Sequence, residues 1–192
     1  MPVPRKAGIL LLYNALPDPL KAYFTHFPKL LDDFPPDVAL SYLFAQVELA
    51  HNMSIYCGVV KKHGVDSELA KNAVNSHHMT RTRFRVLYGV VMSNNGVDTE
   101  ALTKAKFAES VRDKILHGKQ VKDEDKRAAL VSTLEYSNLL NEQAFADAQF
   151  RPFGKLQGFK GAKAALDKST SRWVLMGMGI MTVKKKQEVL SV

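Results

Sequence analysis

The chain has 192 residues, of which 46% are apolar, and this length and composition suffice to bury the core of one domain. A single cysteine, Cys57, excludes an intramolecular disulfide framework and a thiolate-based metal cluster, which favours a reducing, cytoplasmic location. The net charge of +8 favours contact with polyanions such as RNA, although charge alone does not establish such a partner.

The first 36 residues form an extension rich in proline. Seven of the eight prolines fall here, and proline disfavours long regular helices. The segment is nevertheless too apolar for a solvated linker, so we expect short helices and turns packed on the rest of the chain. Its basic start, Arg5 and Lys6, precedes an apolar stretch that is short and has no small-residue cleavage site before Pro17. We therefore interpret it as mature structure rather than as a secretory signal.

A first long helix is predicted after Pro35-Pro36, with Asp37 as its N-cap and its end near His63-Gly64. Its apolar residues recur at steps of three and four, which predicts one buried face. The residues of this predicted face are Tyr42, Ala45, Leu49, Met53, Tyr56 and Val60. Cys57 lies in the same helix, and its apolar surroundings favour a small core residue over a nucleophile.

Three further helices are predicted in chain order. The second begins at Asp66 or Ser67 and continues to Asn94-Asn95-Gly96, a sequence that favours left-handed backbone. The third begins near Asp98 or Thr99 and ends at Gly118. The periodic positions of these two helices are Leu69, Ala73, Thr80, Phe84, Leu87, Val91, Ala101, Ala105, Ala108, Val111 and Ile115. The fourth runs from Asp123, where acidic residues favour the positive end of a helix dipole, to about Ala148.

Four consecutive helices with short connections predict an all-α fold, an antiparallel bundle of four or more helices that forms one structural domain. We assign residues 1–36 to the N-terminal extension, 37–148 to the bundle, and 149–192 to a basic C-terminal extension with a short helix near Ser171 to Met181. The aromatic residues of this tail fit packing on the bundle better than stacking on bases. They are Phe150, Phe153, Phe159 and Trp173. Neither the apolar stretch that follows Lys6 nor the apolar run from Trp173 to Val183 is long enough to span a membrane.

The most suggestive motif closes the third helix, in the segment Arg112-Asp113-Lys114-Ile115-Leu116-His117-Gly118. An arginine followed by a polar residue, and then by a histidine a few positions later, resembles the signature of the HEPN superfamily. Members of this superfamily are small helical bundles. The position of the motif, on the last turn of one helix and just before the next, is similar to the family arrangement. The resemblance covers roughly residues 36–148.

The resemblance implies a metal-independent endoribonuclease that acts as a homodimer, with two copies of the motif facing each other. Histidine titrates near neutrality, so His117 would exchange protons with the ribose 2′-hydroxyl and the leaving 5′-oxygen. Arg112 would hold the scissile phosphate, and Asp113 would support one of these groups. Many members are toxins or antiviral effectors, so a neutralising antitoxin is a further partner that the resemblance suggests.

Two observations leave other interpretations of the motif open. Five residues turn through about 500° on a regular helix, which leaves Arg112 and His117 some 140° apart around its axis. A histidine at a helix C-terminus also has a purely structural use, because its positive form complements the helix dipole. The chain would then be a non-catalytic HEPN-like dimeric module that binds RNA or protein, or an unrelated helical regulator that binds acidic proteins.

Further basic residues are candidates for RNA binding, although a solvated helix surface is the commoner role of such residues. They are Lys114, Lys119, His77, Arg81 and Arg85. The histidines show no metal-ligand spacing, and the glycines between Gly154 and Gly161 lack the spacing of a phosphate-binding loop. We therefore predict no metal site and no cofactor.

Overall fold

The computed structural model describes residues 5–76, 79–94, 96–154, 156 and 159–181. Within these ranges all regular secondary structure is helical, which confirms the predicted all-α bundle. In chain order the helices are α1 (Lys6–Ala15), α2 (Asp18–Tyr23), α3 (Phe27–Asp33), α4 (Pro36–Lys62), α5 (Ser67–Asn75), α6 (Arg81–Met92), α7 (Thr99–Leu116), α8 (Asp123–Ala148) and α9 (Lys168–Gly177). None of these helices is long and apolar enough to cross a bilayer.

Two long helices, α4 and α8, form the centre of the bundle. Helix α4 packs against α3, α5, α6, α7 and α8, and α8 packs in addition against α1 and α7. Lys104 of α7 pairs with Glu135 of α8 at 2.6 Å, and the short connection between these helices makes them antiparallel neighbours, as predicted. The largest fully buried side chains are Ile9, Leu20, Phe24, Phe27, Leu40, Leu43, Ile55, Phe84, Tyr88, Met92, Leu130 and Phe153.

The predicted buried face of α4 is only partly correct. Val60 is buried, and Tyr42, Met53 and Tyr56 are partly buried against the core, whereas Ala45 is exposed and Leu49 is 57% exposed. Helix α4 carries two apolar stripes, and periodicity alone does not tell which of them packs on the core. The stripe that does so consists of Ala39, Leu40, Leu43, Phe44, Val47, Ala50, Ile55 and Val59. The second stripe, with Leu49, Met53 and Tyr56, lies beside a surface cavity.

The second predicted helix is in fact two helices, α5 and α6. Helix α5 begins at Ser67, one of the two predicted starts, and Asp66 caps it, because its carboxylate accepts a hydrogen bond from the backbone N–H of Leu69 at 2.9 Å. Thr80, predicted to lie within the helix, is instead the N-cap of α6, with extended backbone and a hydroxyl that accepts from the N–H of Arg83 at 3.1 Å. Threonine is well suited to this role, since a capping oxygen satisfies a free helical N–H.

Over the described residues 5–36, the N-terminal extension contains three short helices, and short helices and turns were predicted. Proline stands in the first turn of α2, α3 and α4, where its missing N–H costs no helical hydrogen bond. Helix α4 therefore begins at Pro36, with Pro35 as its N-cap, and the prediction of Asp37 as the cap is wrong. The Tyr13 hydroxyl donates to the carbonyl of Lys21 at 2.8 Å, which ties α1 to α2.

The C-terminal segment packs along the bundle. Asn141 of α8 holds its start, because the amide donates to the carbonyl of Phe153 at 3.0 Å and accepts from its N–H at 2.8 Å. Further on, the N–H of Ala162 donates to Val60 and that of Leu166 to Gly64, next to the end of α4. Helix α9 begins at Lys168, three residues before the predicted start, because Asp167 caps its first turn.

At Gly58 the backbone of α4 lies close to side chains of α6. A Cβ at this position would overlap Cγ1 of Val91 and lie 3.1 Å from Cε of Met92. We expect Gly58→Ala to lower the free energy of unfolding by about 1–3 kcal/mol through overpacking. The matched control is Gly8→Ala in α1, where a Cβ meets nothing within 4 Å and should add up to about 1 kcal/mol of helix propensity. Urea unfolding measures both, and equal effects would contradict the close packing.

Candidate functional site

The helix that carries the motif has well-defined ends. At its start, the Asp98 carboxylate accepts from the N–H groups of Glu100 and Ala101. At its end, the N–H of Gly118 donates to Ile115 at 3.0 Å and that of Lys119 to Lys114 at 2.9 Å. This pair of hydrogen bonds defines a Schellman motif, which requires a left-handed residue, and Gly118 has a φ of +68°. The glycine after the histidine thus makes His117 the C-cap of α7.

Arg112 lies between α7 and α4, and its side chain is 24% exposed. One guanidinium nitrogen lies 3.6 Å from a carboxylate oxygen of Glu48, and the other lies 3.5 Å from Asp113. The guanidinium carbon also lies 5.4 Å from the centre of the Phe44 ring. These contacts hold Arg112 by charge and stacking, and both carboxylate distances exceed those of a normal hydrogen bond.

Asp113 is bound from the opposite side by Arg81 of α6, whose Nη2 donates to both carboxylate oxygens at 3.0 and 3.1 Å. One turn away, Arg85 donates to Glu109, which also lies 4.0 Å from Arg81. We call Arg81, Arg85, Glu109 and Asp113 the α6–α7 ladder. Two of the predicted RNA-binding residues, Arg81 and Arg85, therefore have carboxylate partners within the chain.

The remaining residues of the predicted site lie at the exposed end of α7. His117, Lys114 and Lys119 are all exposed, whereas His77 lies outside the described residues. In the described parts of the chain, no side-chain hydrogen bond or ion pair joins His117 to Arg112. The fold therefore brings Arg112, Asp113 and Arg81 together, and it presents the histidine to solvent at the adjacent helix end.

A buried histidine lies beneath the ladder. His51 of α4 is stacked on Phe84 at 3.7 Å between ring centroids, and its Nε2 is hydrogen-bonded to the Tyr136 hydroxyl at 2.7 Å. Burial, reinforced by the charges of Arg85 and Arg81, lowers the pKa of His51 from its usual 6.5 to about 3. Burial also raises the pKa of Tyr136, so that both groups are neutral at pH 7.

Sequence reasoning missed His51, Tyr136, Glu48 and Glu109. A signal for the ladder was present, because Arg81 and Arg85 are four residues apart on one helix and Glu109 and Asp113 are four apart on another. Nothing in the sequence distinguishes the buried His51 from an exposed histidine.

The other sequence predictions concern Cys57, the aromatic residues of the C-terminal segment and metal binding. Cys57 is buried, and desolvation raises the pKa of its thiol to about 12, which confirms a core residue. In the tail, Phe150 and Phe153 are buried and Phe159 is half-buried, whereas Trp173 is 70% exposed. Packing on the bundle is therefore confirmed for the first three aromatics and wrong for the tryptophan. In the described ranges, no group of three or more His, Cys, Asp or Glu side chains is arranged so that it could bind a metal ion.

No protein-family model, curated protein or solved structure matches this chain. The resemblance to the HEPN superfamily therefore rests on the residues of the motif and on their place at the end of α7.

The buried histidine generates a prediction for pH dependence. Since the pKa of His51 is lower in the folded than in the unfolded chain, the unfolded chain binds the extra proton between about pH 6.5 and pH 3. The contribution of His51 to stability is thus present above pH 6.5 and is lost as the pH falls. Between pH 7 and pH 4.5 we expect this to remove about 2–3 kcal/mol of unfolding free energy.

The measurement is denaturant unfolding as a function of pH for the wild type and for His51→Gln. The variant should lose the His51 part of the pH dependence, while His26→Gln, at an exposed position, should retain the wild-type profile. Parallel profiles for the wild type and His51→Gln would contradict a neutral, buried His51.

Proposed function

We propose that this protein is a metal-independent endoribonuclease of HEPN type whose reacting groups are Arg112 and His117. The observation that carries the proposal is the end of α7, where Arg112 is held by Glu48 and Asp113 and His117 is exposed at the C-cap. This arrangement combines a permanent cation with an imidazole, whose ring nitrogens can accept and donate a proton. Both properties are needed to cut RNA without a metal ion.

The proposed reaction is internal transesterification. His117 removes the proton of the ribose 2′-hydroxyl, the 2′-oxygen bonds to phosphorus, and the bond from phosphorus to the 5′-oxygen breaks. The leaving 5′-oxygen takes a proton from the imidazolium of a second histidine. In the proposed homodimer a second copy of the chain supplies that histidine. The products are a 2′,3′-cyclic phosphate and a 5′-hydroxyl.

Arg112 would stabilise the negative charge that develops on the phosphate. Its carboxylate contacts of 3.5 and 3.6 Å are long, so a phosphate oxygen can compete for the same donors. Asp113 is less available for chemistry because it is already bound by Arg81. We assign Asp113 a positioning role: it holds Arg112 on one side and α6 on the other.

The surroundings of His117 support an RNA partner. Lys114 and Lys119 are exposed in the same helix terminus, and the whole chain carries a net charge of +8. Leu116 lies between them and is 58% exposed, so a protein contact here would cover an apolar side chain. We propose a second copy of the chain as that contact, with a neutralising antitoxin as a competing partner and the cytoplasm as the place of action.

A second candidate function is a non-catalytic module that binds RNA or protein. It is favoured by the same contacts of Arg112, because pairing with Glu48 and stacking on Phe44 would also serve a purely structural arginine. The two candidates differ in what the substitution of Arg112 removes: catalysis from a folded protein, or stability from an inactive one.

The test is incubation of the purified protein with mixed cellular RNA in the presence of EDTA. We expect cleavage that leaves 2′,3′-cyclic phosphate ends and falls at least about 100-fold in His117→Ala, since general acid–base groups contribute this much. Arg112→Ala should lose activity with its fold intact, as judged by circular dichroism. The control is His26→Ala, an exposed histidine outside α7, which should cut like the wild type.

Two results would contradict the proposal. Cleavage that survives in His117→Ala would place the chemistry elsewhere or in a contaminant. An absence of cleavage by the wild type, together with stoichiometric RNA or protein binding and an unstable Arg112→Ala, would favour the non-catalytic module.

A further inference from the structure

A cavity of about 410 Å³ lies where α4 and α8 end. This volume falls within the range of small-molecule pockets, roughly 300–1,000 Å³. The wall contains residues from the last turns of both helices and from the segment that follows α8. The side chains that carry the argument are Lys61, Phe145, Phe150, Arg151, Phe159 and Lys160.

The segment that closes the cavity is attached to both long helices. Asn141 of α8 binds the backbone of the segment at Phe153 through two hydrogen bonds. Helix α4 accepts a third from the N–H of Ala162 at 3.2 Å. Phe159, which lies between these two attachment points, meets Phe150 edge to face, with ring centroids 6.3 Å apart. The cavity is therefore formed by groups that have partners within the chain, as is usual for a preformed ligand site.

Three cationic side chains line this cavity, and none of the described residues in its wall carries a carboxylate. Lys61 is half-buried, with its ammonium nitrogen 5.9 Å from the centre of the Phe159 ring, and Lys160 is exposed. In the described ranges neither lysine forms an ion pair, unlike other lysines of the chain. Two unpaired ammonium groups beside an arginine favour a ligand with a negative group.

The arginine, Arg151, is already oriented. Its guanidinium carbon lies 3.9 Å from the centre of the Phe145 ring, and its Nε and Nη2 donate to the Glu142 carboxylate at 3.2 and 3.3 Å. Glu142 lies outside the cavity wall, and in the parts of the chain that the structure describes no hydrogen bond occupies Nη1. Because stacking and pairing already restrict this side chain, it loses little rotamer entropy when it binds an anion.

The same wall offers aromatic surface beside these charges. Phe145 is 37% exposed and Phe159 is half-buried. Three cations exceed the single charge of a carboxylate, whereas a phosphate monoester carries a charge of about −1.5 to −2 at pH 7. We propose that this cavity binds a small aromatic phosphate monoester, with its phosphate at the three cations and its ring against Phe145 and Phe159.

The cavity is separate from the proposed catalytic site. Lys61 lies about 20 Å further along α4 than Glu48, the residue that contacts Arg112. The inference therefore does not depend on the proposed ribonuclease function, and His117→Ala should bind the ligand as the wild type does.

The test is isothermal titration calorimetry with 1-naphthyl phosphate as the probe. Three comparison compounds separate its parts: 1-naphthoate replaces the phosphate by a carboxylate, 1-naphthol has no charge, and inorganic phosphate has no ring. We expect 1-naphthyl phosphate to bind at least about tenfold more tightly than each of them, because it alone combines a doubly charged group with apolar surface. Its affinity should also fall as the salt concentration rises.

Two variants address the cations. The double variant Lys61→Met/Lys160→Met should weaken binding of 1-naphthyl phosphate at least about tenfold and leave that of 1-naphthol unchanged, because methionine removes the charges and keeps apolar stems. Lys160→Met alone, at an exposed position where the fold does not depend on the side chain, should weaken it about threefold. The matched control is Lys29→Met, the same change at an exposed lysine of α3 outside the cavity wall, which should bind like the wild type.

Several results would overturn the inference. Binding of 1-naphthyl phosphate no tighter than that of 1-naphthol or inorganic phosphate would show that ring and charge are not read together. Tighter binding of 1-naphthoate would contradict a phosphate ligand. Equal binding by the wild type and the double variant, or loss of binding in His117→Ala, would place the ligand outside this cavity. RNA cleavage bears on none of these results, so failure of the catalytic proposal would leave the cavity proposal unchanged.

Discussion

The α6–α7 ladder is the interaction on which the placement of the motif depends. Helix α6 packs on α4, whereas α7 packs mainly on α8. Helices α6 and α7 therefore contact each other chiefly through long charged side chains. Glu109 is only 14% exposed, and a carboxylate in such a place needs its arginine partners. Loss of one ladder residue would leave a partly buried charge beside the helix that presents Arg112 and His117.

The ladder lies over a neutral polar pair in the core. His51 and Tyr136 join α4 to α8, and the positive charges above them help to keep the imidazole unprotonated. The same helix, α4, carries Glu48 toward Arg112. One long helix thus connects the core with the proposed phosphate site, and a change in its packing would reach both.

Local chemistry explains which parts of this arrangement the sequence predicted. Asp98 and Gly118 define the ends of α7 through a cap and a left-handed residue, and both ends were predicted correctly. The core face of α4 was not, because two apolar stripes satisfy the same period and only tertiary packing selects one. Thr80 is likewise predicted to lie within a helix but caps α6, since a capping role depends on backbone geometry. The burial of His51 arises from contacts with α6 and α8, which no local pattern encodes.

The most direct measurement of whether the ladder holds α7 is a double-mutant cycle between Arg85 and Glu109. Unfolding free energies would be measured for the wild type, Arg85→Met, Glu109→Gln and the double variant. The account predicts a coupling free energy of at least about 1 kcal/mol, because each single change deprives a partly buried partner of its shortest ion pair. Effects that add to within about 0.3 kcal/mol would contradict it and would mean that packing on α8 alone positions the motif.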